Sequence, residues 1–168
     1  MSEKQTSEVW MRGPIPGIPP LLQPVAHALL QAQKEIPFHL YDFPESRLWA
    51  RPSGLASVAF HLQHITGVID RLFTYARAEM LNENQLLYLA SEGTEVAGLN
   101  IQSLILSLNA QVTLALEQLK QTKEDELTVR RGIGRKQIPT TLIGLLFHAA
   151  EHTQRHVGQL LVTAKLAV

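Results

Sequence analysis

Chemistry in this chain would depend on histidine. Five of the seven histidines fall in two apolar stretches, AFHLQHITGVIDRL (59–72) and LFHAAEHTQRHVGQL (146–160). Residues four apart in a helix lie about 6 Å apart on one face, so His152 can share a metal ion with either His148 or His156. All three cannot share it, because His148 and His156 differ by about 12 Å of helix rise whereas imidazole–metal bonds are about 2.1 Å long. The spacing therefore predicts a site that uses one of these two pairs.

A third ligand would come from the other histidine-bearing stretch. His61 lies near the apolar stripe of that predicted helix, and His64 lies at the edge of the stripe. The helical period therefore does not choose between them, and both are candidate ligands. Histidines on an apolar helix are costly unless water, a partner or a metal satisfies them, which favours a metal. A site of three histidines would leave one or two positions open, as catalytic sites do, and could activate a water or bind a thiol.

Composition limits the other kinds of site and partner. The chain has no cysteine, so a metal must rest on His, Asp or Glu. Lys plus Arg total 15 and Asp plus Glu total 15, so there is no net charge to attract nucleic acid or an anionic membrane. The N-terminal MSEKQTSEVWMRG lacks the apolar core of a secretory signal, and the apolar runs are shorter than the ~20 residues of a membrane span. We expect a soluble, cytoplasmic protein.

The histidines must be positioned by helices. Apolar residues at three- and four-residue spacing predict helices over residues 20–35, 54–80, 96–120 and 138–166. Four amphipathic helices in 168 residues most simply form an all-α four-helix bundle, a single domain over residues 1–168 with sites between facing helices.

Proline, glycine and hydroxyl residues mark the ends of these helices. GPIPGIPP predicts an extended, Pro-rich leader over residues 1–19, and Pro37 interrupts the first pattern. Ser53 or Ser57 is the expected cap of the second helix, and the fourth is expected to start near Pro139 with a Thr cap. The segment NENQLLYLASEG is predicted as a polar connection, and residues 127–129 as an extended surface stretch.

Three segments resemble the DinB/YfiT-like superfamily of metal-dependent enzymes. SVAFHLQHITGVIDRLFTYARAE resembles that family's second helix, and LFHAAEHTQRHVGQL resembles its fourth, with H-x-x-x-H followed by Gly-Gln; WMRGPIPGIPPLLQPVAHALL resembles the N-terminus of one subgroup. The resemblance implies a bundle with a three-histidine site for nickel or zinc, often in a homodimer, and a low-molecular-weight thiol as cosubstrate for transfer or isomerisation. It implies His64, His152 and His156 as metal ligands. His61, His148 and Gln159 are then residues of the pocket or contacts of the ligands.

A competing motif overlaps the same stretch. His148, Glu151 and His152 satisfy H-x-x-E-H, a peptidase pattern in which the glutamate acts as general base. That peptidase requires a further acidic ligand downstream, and no Asp or Glu follows Glu151 in the sequence. We expect Glu151 instead to pair with Arg155 on a solvated face.

The sequence is compatible with three functions. The first is a metal-dependent transferase, isomerase or hydrolase acting on a small molecule, the second a non-catalytic metal-binding or stress-response protein. The third is a dimerisation module that uses apolar positions such as Leu86, Leu87 and Leu89. Candidates for proton handling or substrate contact in the enzyme are Glu151, Asp70, Gln159, Arg71 and Tyr75.

Overall fold

The structure is a computed structural model that describes residues 7–168, and these residues form five α-helices and one β-hairpin. The helices are α1 (Gln23–His39), α2 (Val58–Ala76), α3 (Glu83–Ser91), α4 (Ile101–Gln121) and α5 (Leu142–Leu166). The hairpin pairs β1 (Arg130–Ile133) with β2 (Ile138–Thr141) in antiparallel register. The four long helices form the bundle, which confirms the all-α prediction.

The core of the bundle places α2 against α5. Helix α2 packs against α5 and α4, and α1 packs against the same two helices. Each buried leucine or isoleucine contributes about 1.5–3 kcal/mol of hydrophobic free energy, so packing of these stripes fixes how the helices are rotated. Within residues 7–168 no helix combines the length and the apolar character needed to cross a bilayer. The fully buried side chains include Leu29 of α1, Leu62, Ile65, Ile69 and Phe73 of α2, Leu108 of α4, and Leu145 and Leu146 of α5.

The two histidine-bearing helices begin at hydroxyl caps. The Ser57 hydroxyl accepts from the Phe60 amide at 3.1 Å, so α2 begins at Val58 rather than at residue 54. The Thr141 hydroxyl accepts from the Gly144 amide, so α5 begins at Leu142. The predicted start near Pro139 is wrong, because residues 138–141 pair with β1 before the helix begins.

Helix α1 differs from its prediction at both ends. Pro20 lies in a 3-10 turn, Pro20–Leu22, and the α-helix begins only at Gln23. It then continues through Pro37 to His39, although a stop before Pro37 was predicted. A proline so near the end removes one hydrogen bond of the last turn, and Leu40 still donates to the Ile36 carbonyl at 3.1 Å.

The connection between α2 and α4 contains a helix that the sequence pattern did not predict. Helix α3 begins at a capping box in which Asn82 and Gln85 each accept from the other's backbone amide. Helix α4 begins at Ile101 rather than residue 96, because Gly98 has a φ of +84° and Asn100 caps the helix.

The remaining connections also depart from prediction. The leader carries a 3-10 turn at Val9–Arg12, and residues 1–6 of the predicted leader lie outside the described residues. The expected extended stretch over 127–129 is wrong. Leu127 is buried at the end of a 3-10 turn, and strand pairing begins at Arg130.

Candidate metal centre

Three histidines from two facing helices meet inside the bundle. His64 of α2 and His152 and His156 of α5 each offer a ring nitrogen, and these nitrogens all lie within 4.8 Å of one another. The centroid of the His64 ring lies 5.1 Å from that of His152 and 4.5 Å from that of His156. All three residues are partly buried. Of the two pairs that the spacing left open on α5, the structure brings His152 and His156 together with His64.

The orientation of His64 is set by an acidic residue that sequence analysis missed. Its Nδ1 lies 2.6 Å from Glu92 Oε2, and the other oxygen of Glu92 accepts from Arg71 Nη1 at 2.6 Å. Because a carboxylate only accepts hydrogen bonds, His64 Nδ1 carries a proton, and Nε2 is the nitrogen that lies toward His152. No periodic pattern marks Glu92, which follows α3 in the segment predicted as a polar connection.

His156 is held by the histidine that competed with His64 in the sequence. The Nδ1 atoms of His156 and His61 lie 3.0 Å apart, so one ring donates and the other accepts. Burial, together with the neighbouring His64, lowers the pKa of His61 to about 4 and that of His156 to about 4. Both rings are therefore neutral at neutral pH, and His61 contacts a member of the cluster instead of completing it.

His152 is only partly satisfied by protein groups. Its Nε2 lies 2.9 Å from His64 Nε2, while its Nδ1 is buried and has no hydrogen-bond partner among residues 7–168. Burial and then the charge of His64 lower the pKa of His152 to about 4. A buried polar atom without a partner costs about 1–3 kcal/mol, so the cluster is not a hydrogen-bond network closed by the protein alone.

This donor set fits a divalent transition metal. Two imidazole nitrogens bound at about 2.1 Å to one ion lie roughly 3.0 Å apart in octahedral and roughly 3.4 Å apart in tetrahedral geometry. His64 Nε2 and His152 Nε2 lie 2.9 Å apart, near the lower of these values. Metal ligation requires neutral imidazole, and imidazole suits zinc, nickel, copper and iron. Three protein ligands leave at least one coordination position open, which is the arrangement of catalytic sites.

The H-x-x-E-H residues lie at the exposed edge of the cluster. His148, Glu151 and His152 also bring ligand atoms within 4.8 Å of one another, with His148 exposed. Glu151 forms the expected ion pair with Arg155, and this pair lowers the pKa of the Glu151 carboxyl below its usual range. His148 lies beside His152, with ring centroids 5.1 Å apart.

The other candidate residues are engaged elsewhere or lie at the margin. Asp70 accepts from Gln85 Nε2 at 2.9 Å, and the hydroxyl of buried Tyr75 lies beside Gly134. Arg71 does not contact the cluster histidines directly but donates to Glu92, which contacts His64. Gln159 is exposed on α5. The two histidines outside α2 and α5 lie away from the cluster: the ring of His27 bonds the Gly13 carbonyl at 3.1 Å, and His39 is exposed at the end of α1.

The protein is a four-helix bundle in which two facing helices bring three histidines together. It therefore belongs to the class of helical bundles that have a histidine cluster able to hold a metal ion. The family model of the DinB superfamily matches residues 28–160. This match covers most of the chain, and the chain belongs to the DinB superfamily, as the two histidine-bearing segments indicated. A comparison with curated proteins finds no match.

Proposed function

We propose that this protein is a metal-dependent enzyme that acts on a small molecule, using nickel or zinc held by His64, His152 and His156. The proposed reaction is transfer or isomerisation with a low-molecular-weight thiol as cosubstrate, or hydrolysis. The observation that carries the proposal is the convergence of three ring nitrogens within 4.8 Å from two separate helices. Membership of the DinB superfamily supports the same site.

The protein residues have distinct tasks in this proposal. His64, His152 and His156 hold the ion as neutral ligands, while His61 and Glu92 fix the orientation of two of these rings. When bound, such an ion supplies Lewis acidity, which makes a thiol or a water a better nucleophile near neutral pH. Half-burial of the histidines limits the water around them, which strengthens every electrostatic interaction in the site.

A cavity beside the cluster supports a small-molecule substrate. It has a volume of about 440 Å³ and is bounded by His61, which touches His156, and by Arg155 and Gln159. This volume falls within the roughly 300–1,000 Å³ of small-molecule sites. Leu55 and Val162 add apolar wall, so the cavity suits a compound with an apolar body and a polar or anionic end.

The first test is elemental analysis of purified, untagged protein beside the variants His64→Ala and His156→Ala. We expect about one nickel or zinc ion per chain in the wild type and loss of that ion in both variants, because two ligands cannot replace three. His27→Ala is the matched control, since His27 bonds a backbone carbonyl outside the cluster and its loss should leave the metal content unchanged.

Activity is tested only on protein that holds metal. Candidate thiols are screened with small electrophiles for thiol consumption, and the same protein is assayed after chelation and after metal is restored. Activity that disappears with the chelator and returns with the ion supports the enzyme. A wild-type protein that binds no metal after reconstitution contradicts the proposal.

A further inference from the structure

Glu92 is a buried carboxylate whose two oxygens have different partners. Its side chain is 4% exposed, with Oε2 2.6 Å from His64 Nδ1 and Oε1 2.6 Å from Arg71 Nη1. Burial of a carboxylate is costly unless it is both paired and hydrogen-bonded. The chain therefore stabilises this acid with one cation and one ring N–H rather than leaving it in solvent.

Space for this contact is made by a glycine in the middle of α2. A Cβ atom at position 67 would overlap Arg71 Nη1 and Glu92 Oε1 and would approach Tyr88 Cε1 to 2.9 Å. Glycine inside a helix costs about 1 kcal/mol relative to alanine. Glycine nevertheless suits position 67, because the Arg71–Glu92 pair lies against the helix backbone there.

The segment that carries Glu92 is attached to α2 by further contacts. The Gln63 side chain accepts from the Gly93 amide at 2.8 Å, and the Tyr88 hydroxyl donates to the Gln63 carbonyl at 3.1 Å. Burial and then the charge of Glu92 raise the pKa of Tyr88 to about 12, so its hydroxyl keeps the proton that it donates. These contacts hold Glu92 in register with His64.

The same region of α2 supports the His64 ring from its other side. Phe60 stacks on His64 with centroids 5.1 Å apart and planes 12° from parallel. The ring is thus fixed in its plane by Phe60 and in its protonation pattern by Glu92. Phe60 has no hydrogen-bonding group, so Glu92 is the acceptor for Nδ1, while His152 lies 2.9 Å from the other ring nitrogen.

We propose that Glu92 is the positioning residue of the metal centre: it holds His64 in the tautomer that presents Nε2 to a divalent transition metal and strengthens that nitrogen as a ligand. The proposal rests on the proposed metal site and adds a residue from outside the two histidine-bearing helices. A carboxylate that accepts from a ligating imidazole fixes its tautomer and raises its basicity. Metal binding is thereby linked to the order of the α3–α4 connection.

Glu92→Gln tests the proposal with little change in shape. The amide replaces one of the two carboxylate oxygens with an NH2 donor, so one of the two contacts, with His64 or with Arg71, loses its acceptor. We expect Co²⁺, titrated into metal-free protein and followed by its visible absorption, to bind roughly 10- to 100-fold more weakly than to the wild type. Gly67→Ala should weaken Co²⁺ binding in the same direction, because it displaces the carboxylate without removing a polar group.

Glu45→Gln is the matched control. Glu45 accepts from the Ile101 amide with both oxygens and so holds the other end of the same connection without touching a histidine. If Glu92 acts only by anchoring the connection, Glu45→Gln should weaken Co²⁺ binding to the same extent. Equal losses in the two variants, or wild-type affinity in Glu92→Gln, would overturn the proposal.

A second measurement separates this proposal from the proposed function. Histidine ¹⁵N–¹H correlation spectra of metal-free protein report which ring nitrogen of His64 carries the proton. We expect Nδ1–H in the wild type and in Glu45→Gln, and a mixture of tautomers in Glu92→Gln. If the wild type binds no metal, the proposed function fails, whereas an unchanged His64 tautomer in Glu92→Gln contradicts the role of Glu92.

Discussion

The helices α2 and α5 and the connection between α3 and α4 contribute to the same site in different ways. The two helices supply His64, His152 and His156 at positions that follow from helix period and packing. The connection supplies Glu92, which reaches His64 across 28 residues of sequence from a region without regular structure. Regular helices thus determine where the three histidines meet, while an irregular connection supplies the acid that contacts one of them.

The largest effect that would test this difference is loss of the buried cation. Arg71→Met leaves the Glu92 carboxylate buried without its charge partner, and removal of one partner of a buried pair costs roughly 3–5 kcal/mol. We expect the free energy of unfolding, measured in urea, to decrease by an amount near the lower end of that range, because His64 still donates to Glu92.

Arg155→Met is the control for this substitution. It removes the partner of an acid in an exposed ion pair on α5, and exposed pairs contribute little to stability. If both variants unfold at the wild-type urea concentration, the connection is not bound to α2 by the Arg71–Glu92 pair, and the comparison fails.

A smaller effect is expected inside the histidine cluster. His61→Ala removes the ring that touches His156 Nδ1 but leaves all three proposed ligands, so Co²⁺ affinity should fall by roughly 10-fold. His148→Ala removes an exposed ring on the other side of the cluster and should leave the affinity unchanged. A larger loss for His148→Ala would mean that the exposed H-x-x-E-H residues, and not His61, support the centre.

The smallest effect concerns the helix that precedes Glu92. No residue of α3 is fully buried, although Tyr88 is half-buried, so this helix depends on its capping box more than on the core. Asn82→Ala should destabilise α3 by about 1 kcal/mol, visible as faster hydrogen exchange over residues 83–91 and little change in overall melting. Unchanged exchange in α3 would show that packing on α2 holds it instead.

The spacing of the histidines on α5 could be predicted because a helix places residues at known intervals. The period indicated that His152 pairs with one neighbour on α5, and the bundle followed from the apolar stripes. Periodicity did not choose between His61 and His64, because their difference depends on the rotation of α2 against α5. The resemblance to the DinB superfamily implied His64, and the structure places that ring in the cluster.

Residues outside the periodic stretches were not predictable in the same way. Glu92 lies in a segment with many acidic and polar residues, and only its contacts with His64 and Arg71 distinguish it. Helix α3 was missed because its signal is a local capping box rather than an apolar stripe. The start of α5 was placed too early because Pro139 resembles a helix start, whereas strand pairing places it in the hairpin.

Gly67 makes positions 67, 71 and 92 depend on one another. In this chain a Cβ atom at position 67 would overlap Arg71 Nη1 and Glu92 Oε1, so the ends of both side chains would have to shift. The pattern His-x-x-Gly-x-x-x-Arg at residues 64–71 can therefore serve as a search signature. Its three residues lie on one helix, and the acid that they accommodate here comes from the connection that follows α3.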